Sequence, residues 1–373
     1  MTNKLTRRSL LGAVVATSTS VRGSAQNSAI TVGVLGTGSR GTYVSTLMAK
    51  NTAARIVALC DLFPEKMEKA KTSIGVEHPR LYQDLHKMLA SDLDAVIIAT
   101  PVFLHADHFE AALKSGKHIY IEKPASASVE GCKRIMRASD AADRKLNITF
   151  GFQRRYGQVY LKAKALADSG AAGAIQMGFA RFIKSDGTPG AAKLAPPQTQ
   201  AEKVSNWGVW KDLSGDLIVE NNVHSIDVLN WFLGGRPLSA IGSGGATRQQ
   251  MGDMRDHNFV AFEYQGGVHG QLSGATLAAP GYRDVVEQFF GETGVIETSE
   301  NHWRHFRGPG KETVEKSPRN IAIDSVAAFV QRIENGKPEN TGVRGAESTL
   351  TAILGRMAMD QRREVTWEEM MKG

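Results

Sequence analysis

Glycine, aspartate and histidine recur in this chain at spacings that can hold a dinucleotide and move a proton. Gly36-Thr37-Gly38-Ser39-Arg40-Gly41 fits the pattern G-x-G-x-x-G. It follows an apolar run, precedes a helical pattern, and leads to Asp61 about 20 residues on, at the end of the next apolar run. Gly36 permits a tight turn, Gly38 lets a pyrophosphate approach the backbone, and Gly41 lets helix and strand pack closely. The helix opening at Ser39 points its N-terminus at those phosphates. Asp61 can accept hydrogen bonds from an adenosine ribose and repels a 2′-phosphate, so NAD is expected rather than NADP. Arg40 is the reservation, because inside the loop it can reach either the pyrophosphate or a 2′-phosphate.

Glu220-Asn221-Asn222-Val223-His224-Ser225-Ile226-Asp227 opens a helical pattern whose apolar stripe is Val223, Ile226, Leu229 and Leu233. Glu220 and His224 are spaced i, i+4 and share a face, with Asp227 one turn beyond. A carboxylate beside an imidazole raises its pKa and orients the ring, which predicts an acid/base group titrating near neutrality.

Together with Glu122-Lys123-Pro124 at a strand end, after Ala99-Thr100-Pro101 and His105, these motifs resemble the glucose–fructose oxidoreductase / inositol dehydrogenase / MocA (Gfo/Idh/MocA) family. The resemblance covers nearly all of the chain behind a short leader. It implies that Lys123 lies at the nicotinamide and substrate, that His224 is an acid/base, and that Glu220 tunes it. Physical chemistry agrees: a lysine that stabilises a developing alkoxide beside a histidine that takes the proton suits carbinol oxidation, with hydride passing to nicotinamide. Thr100, Pro101, His105 and Glu122 join the cofactor set. Many dehydrogenases of the family carry aspartate where this chain has Glu220, and glycine near Asn222. That departure predicts a changed proton relay and pocket volume, so substrate identity does not transfer.

Substrate contacts are expected from Arg154 and Tyr156, which follow the strand leaving the nucleotide region, with Arg155 a surface charge. Trp207 offers a flat apolar face to sugar C–H groups, and Asp227 completes the substrate set. No metal site is expected: His302 and His305 lack a suitably spaced carboxylate or cysteine, and His105 and His108 begin a helix.

The elements that must position these groups fall into two patterns. From Ile30 to about Phe150, continuous apolar strands alternate with amphipathic helices, which predicts a Rossmann doubly wound parallel sheet. Beyond it, strands run in succession with one strong helix, Glu220–Leu233, which predicts an α+β domain with a large, mostly antiparallel open sheet. The expected division is a leader at 1–26, an NAD-binding domain at 27–150, a substrate and oligomerisation domain at 151–318, and C-terminal helices at 319–373 that pack back toward the first domain. The segment 187–200 reads as a long surface loop.

The leader has Arg7-Arg8, a modest apolar stretch Leu10–Ala16, and small residues before Gln26, which matches a twin-arginine signal for export of folded cargo. Lys4, Arg7, Arg8 and Arg22 supply four of the formal charge of +7, leaving +3 spread along the chain, so the basicity gives no reason to expect nucleic acid. No apolar run approaches the roughly 20 residues that span a bilayer. Cys60 and Cys132 read as buried thiols. Taken together, the sequence predicts an exported enzyme, periplasmic or beyond, holding NAD tightly and acting on a sugar, glycoside or polyol as a dimer or tetramer. The alternative is a redox-neutral glycosidase, lyase or epimerase that oxidises its sugar transiently, which export favours because free NAD is scarce outside the cytoplasm. A ligand sensor without turnover predicts loss of the lysine or the histidine, and both are present.

Overall fold

The computed structural model describes residues 29–185, 192–248 and 251–372. The twin-arginine leader and the first part of the 187–200 loop lie outside the described residues.

The first sheet consists of β1 (Thr31–Leu35), β2 (Arg55–Cys60), β3 (Arg80–Tyr82), β4 (Ala95–Ile98), β5 (His118–Ile121) and β6 (Ile148–Phe150). The order β3-β2-β1-β4-β5-β6, with every pairing parallel, is that of a dinucleotide-binding domain. All four residues of β4 are buried because helices cover both faces, which explains its unbroken apolar sequence. The crevice at the carboxyl ends of β1 and β4, where the strand order reverses, is where such sheets bind ligands.

The second sheet adds β7 (Ile175–Lys184), β8 (Ser239–Gly245), β9 (His257–Glu263), β10 (His269–Ala275), β11 (Arg283–Gly291), β12 (Val295–Thr298), β13 (His302–Phe306), β14 (Glu312–Lys316) and β15 (Val365–Thr366). Its order is β14-β13-β12-β11-β7-β10-β9-β8-β15. Only β7 and β10 pair in parallel; the remaining pairs are antiparallel. β9 alternates buried Val260 and Phe262 with exposed Phe259 and Ala261, the pattern of a sheet covered on one face. β13 and β14 escape the sequence reading because they are rich in charge and β14 buries none of its five residues.

The covered face carries the helix Val223–Phe232, whose Phe232 ring stacks on Phe289 of β11 at 4.1 Å. The helix Ile321–Glu334 instead joins the first domain: Val326, Phe329 and Val330 share a core with Val44 and Met48. The helix Gly342–Gln361 packs against both Val129–Asp140 and Val223–Phe232 and so ties the domains together. Cys60 and Cys132 are separate buried thiols, and burial pushes the Cys60 thiol up to about 12.

Candidate active site

At the end of β1 the chain turns at Gly36, whose φ of +91° is left-handed. A Cβ there would sit 2.6 Å from the Ala99 carbonyl oxygen, and one on Gly41 would run into the Gly36 carbonyl. At Gly38, by contrast, a Cβ would meet nothing within 4 Å. The loop is therefore closed on its inner side and open at Gly38, the shape a pyrophosphate needs. Ser39 is exposed at the start of the helix Ser39–Asn51. Asp61 is already aimed: Thr37 donates to Oδ2 from its amide at 2.8 Å and from its hydroxyl at 3.1 Å, and the Phe63 amide donates to Oδ1 at 3.1 Å. The carboxylate keeps one lone pair, on Oδ1, for a ribose hydroxyl. It borders a cavity of about 150 Å³ together with Leu62, Leu85, Pro101 and Leu104.

Arg40 does not reach that cavity. Its guanidinium pairs with Glu122 at 3.0 Å, donates to Gln153 Oε1 at 3.0 Å, and lines a second cleft of about 350 Å³. Burial opposes its charge, but Glu122 carries its pKa above the ordinary value. A guanidinium committed to Glu122 is not a reader of the 2′ position, so the reservation over NADP falls away. Thr100 lines both cavities, so the two are neighbours on either side of it. His105 is buried and borders the same cleft as Lys123 and His224. Both ring nitrogens face backbone carbonyls, Nδ1 that of Pro124 at 2.7 Å and Nε2 that of Thr100 at 2.8 Å. These contacts tie it to both turns, and burial lowers its pKa.

Lys123 stands at the carboxyl end of β5, before a cis peptide to Pro124. Its ammonium donates to the Glu220 carbonyl at 2.6 Å and lies 3.4 Å from Glu220 Oε1. The expected single helix is two, and this contact sits at the break. In a continuous helix the Glu220 carbonyl would accept from the His224 amide. Here Lys123 takes it, and the chain forms Asp216–Glu220, a step at Asn221 and Asn222, then Val223–Phe232. Glu220 therefore partners Lys123 rather than His224, and its other oxygen accepts from Asn221.

The expected raised pKa of His224 is overturned. Desolvation, followed by the positive charges of Lys123 and Arg154, holds it well below its ordinary value of 6.5. The ring packs edge-on to Phe152, and its Nδ1 has no hydrogen-bonding partner among the described residues. Burial thus favours the neutral imidazole, which lines the cleft. Asn222 does not alter the cleft's volume either. Its side chain points into the sheet, where Oδ1 accepts from Asn258 at 2.8 Å, and Gly274 leaves it room.

Of the four substrate residues expected, only Trp207 lines the cleft. Arg154 is sealed inside, donating to Ser225 at 2.9 Å and paired with Glu287 at 2.5 Å. Tyr156 is buried beneath the guanidinium of Arg332, which lies 5.3 Å above its ring. Asp227 is held by Arg155 through contacts of 2.8 and 2.9 Å and by the Ser348 hydroxyl at 2.7 Å. Arg155 is accordingly no surface charge. Each of these groups turned inward because a partner on another element matched it. Conversely, Phe182, Lys184 and Asn221 line the cleft without having been singled out. The signal for two of them lay in β7, where Ala180, Phe182 and Lys184 alternate onto one face and the last two reach the strand end.

The fold and groove define an NAD-binding oxidoreductase with a second, sheet-based domain. The sequence model of the oxidoreductase family with an NAD-binding Rossmann fold matches residues 30–150, and that of the GFO/IDH/MocA C-terminal domain matches residues 160–297. The chain belongs to the Gfo/Idh/MocA family of oxidoreductases. It is 23% identical over 358 residues to a myo-inositol 2-dehydrogenase of Thermotoga maritima, covering 91% of this chain and 99% of that one. An inositol 2-dehydrogenase of Burkholderia ambifaria is 28% identical over 71% of this chain and 73% of its own length. Among solved structures, a levoglucosan dehydrogenase in complex with NADH and levoglucosan superposes with a TM-score of 0.77 at 18% identity, over 90% of this chain and 98% of that one.

Proposed function

We propose that this chain is an NAD-dependent dehydrogenase that oxidises a CH–OH group of a sugar or polyol. The observation that carries the proposal is the junction of Lys123, Glu220 and His224 in a cleft that adjoins, across Thr100, the cavity at Asp61. When bound there, the nicotinamide supplies the hydride acceptor. Lys123 stabilises the developing alkoxide, and its loose 3.4 Å contact with the Glu220 carboxylate can give way to a substrate hydroxyl. His224, kept neutral, is ready to accept the hydroxyl proton. Trp207 and Phe182 supply apolar walls to the cleft, and Glu220 and Asn221 supply polar ones.

The dehydrogenase names of the relatives favour net oxidation over redox-neutral chemistry. The leader supports export through the twin-arginine route to the periplasm or beyond, and Ile241, Phe259 and Val314, each more than half exposed, support self-association. The test is to incubate holoenzyme with inositols, anhydrosugars and glycosides and to follow product and NADH together. NADH formed in step with a keto product supports the reading. Cleaved or epimerised product without NADH would replace it with the redox-neutral one. Export is tested separately: with Arg7 and Arg8 both changed to lysine, folded protein should stay in the cytoplasm, and undiminished secretion would dismiss the twin-arginine route.

A further inference from the structure

The cavity beside Asp61 is not built by the nucleotide-binding domain alone. Gln200 and Val204, from the helix Gln200–Asn206 of the second domain, form part of its wall. They are spaced i, i+4 and so share one face of that helix. The helix buries none of its residues fully, and Val204 belongs to neither hydrophobic core. Its inner face thus fronts the cavity, with Leu62, Leu85, Pro101 and Leu104 among the other walls.

The segment is fixed in place at several points. Thr199 and Glu202 form a reciprocal cap at the start of the helix, with the Glu202 amide donating to Thr199 Oγ1 at 3.2 Å and Glu202 Oε2 accepting from the Thr199 amide at 2.9 Å. The Leu194 amide donates to the Met251 carbonyl at 2.7 Å upstream. Downstream, the Lys211 amide donates to Asp253 Oδ1 at 2.7 Å. Immediately after the helix, Trp207 walls the cleft that holds Lys123 and His224, so one short stretch of chain borders both cavities.

We propose that the helix Gln200–Asn206 clasps the adenine of NAD, with Val204 against the ring and Gln200 at its polar edge. An adenosine whose ribose meets Asp61 places its base in this apolar cavity, and a contact from the second domain obstructs its departure. The clasp would slow the release of NAD, which an exported enzyme working where NAD is scarce would require. It rests on the NAD site already described and adds residues outside the glycine loop to it.

The experiment compares Val204→Asp with Ser205→Asp, which places the same charge on the exposed side of the same helix. Calorimetry with NAD, ADP-ribose and nicotinamide mononucleotide reads affinity, and stopped-flow displacement reads NADH release. Val204→Asp should weaken NAD and ADP-ribose by about 10-fold or more, because a carboxylate facing the base lacks a partner. It should leave nicotinamide mononucleotide unaffected and speed NADH release, while Ser205→Asp changes none of these. Equal weakening by both variants, or wild-type affinities in Val204→Asp, would overturn the clasp while leaving the NAD site intact. Failure of the wild type to bind ADP-ribose would instead undo the placement of the adenosine itself.

Discussion

Lys123–Glu220 and Arg154–Glu287 are both pairs of a basic side chain with a glutamate, and both adjoin the start of the helix that carries His224. They differ in closure. The first pair is loose, at 3.4 Å, with side chains 11% and 24% exposed; the second is 2.5 Å apart, with side chains 1% and 0% exposed. Glu287 is further satisfied by Ser225 at 2.7 Å, Thr298 at 3.0 Å and Tyr160 at 3.3 Å. A sealed charge pair needs such partners to offset its desolvation, and once they are in place it has no freedom to meet a substrate. Burial raises the Glu287 pKa despite Arg154, while the pair as a whole braces the sheet beneath His224. The open pair keeps capacity to exchange partners, which is what a catalytic group must do.

The largest effect should come from breaking the sealed pair. Arg154→Ala leaves Glu287 buried without its counter-charge and should cost about 3–5 kcal/mol of stability, read by denaturant unfolding. A variant that unfolds at the wild-type midpoint would erase the distinction between the sealed and the open pair. Lys123→Ala should show the opposite signature: turnover reduced about 100-fold or more, with retained NAD affinity and little change in melting. Loss of stability as large as that of Arg154→Ala would move Lys123 to the structural class.

A smaller effect concerns His224. With its folded pKa below 6.5, the acid limb of kcat/KM should fall below that value, and Lys123→Met should shift it upward in the residual activity, because one repelling charge is removed. The same depression has a stability consequence. The unfolded chain takes up the proton first, so the contribution of His224 is full above about 6.5 and declines as pH falls from there toward the folded pKa. Titration of His224 by NMR above 6.5 would reverse both expectations.

The glycine loop, Asp61 and the Glu-Lys-Pro strand end were legible because each depends on local backbone geometry and on strand order, which apolar periodicity specifies. The charge-rich strands β13 and β14 were not, because their pairing is decided by partners distant in sequence. The same limit governs the side chains. Arg154, Asp227 and Tyr156 look like ligands along the chain, yet Glu287, Arg155 and Arg332 claim them from other elements.

By itself the sequence determined the domain types, the dinucleotide turn and the residue kinds that chemistry requires, since periodicity and turn stereochemistry act over a few residues. Only the tertiary structure decided which charges are enclosed, that Lys123 holds the Glu220 carbonyl at a helix break, and that burial depresses the His224 pKa. Desolvation and ion pairing depend on what arrives from elsewhere in the fold, and no local pattern encodes that.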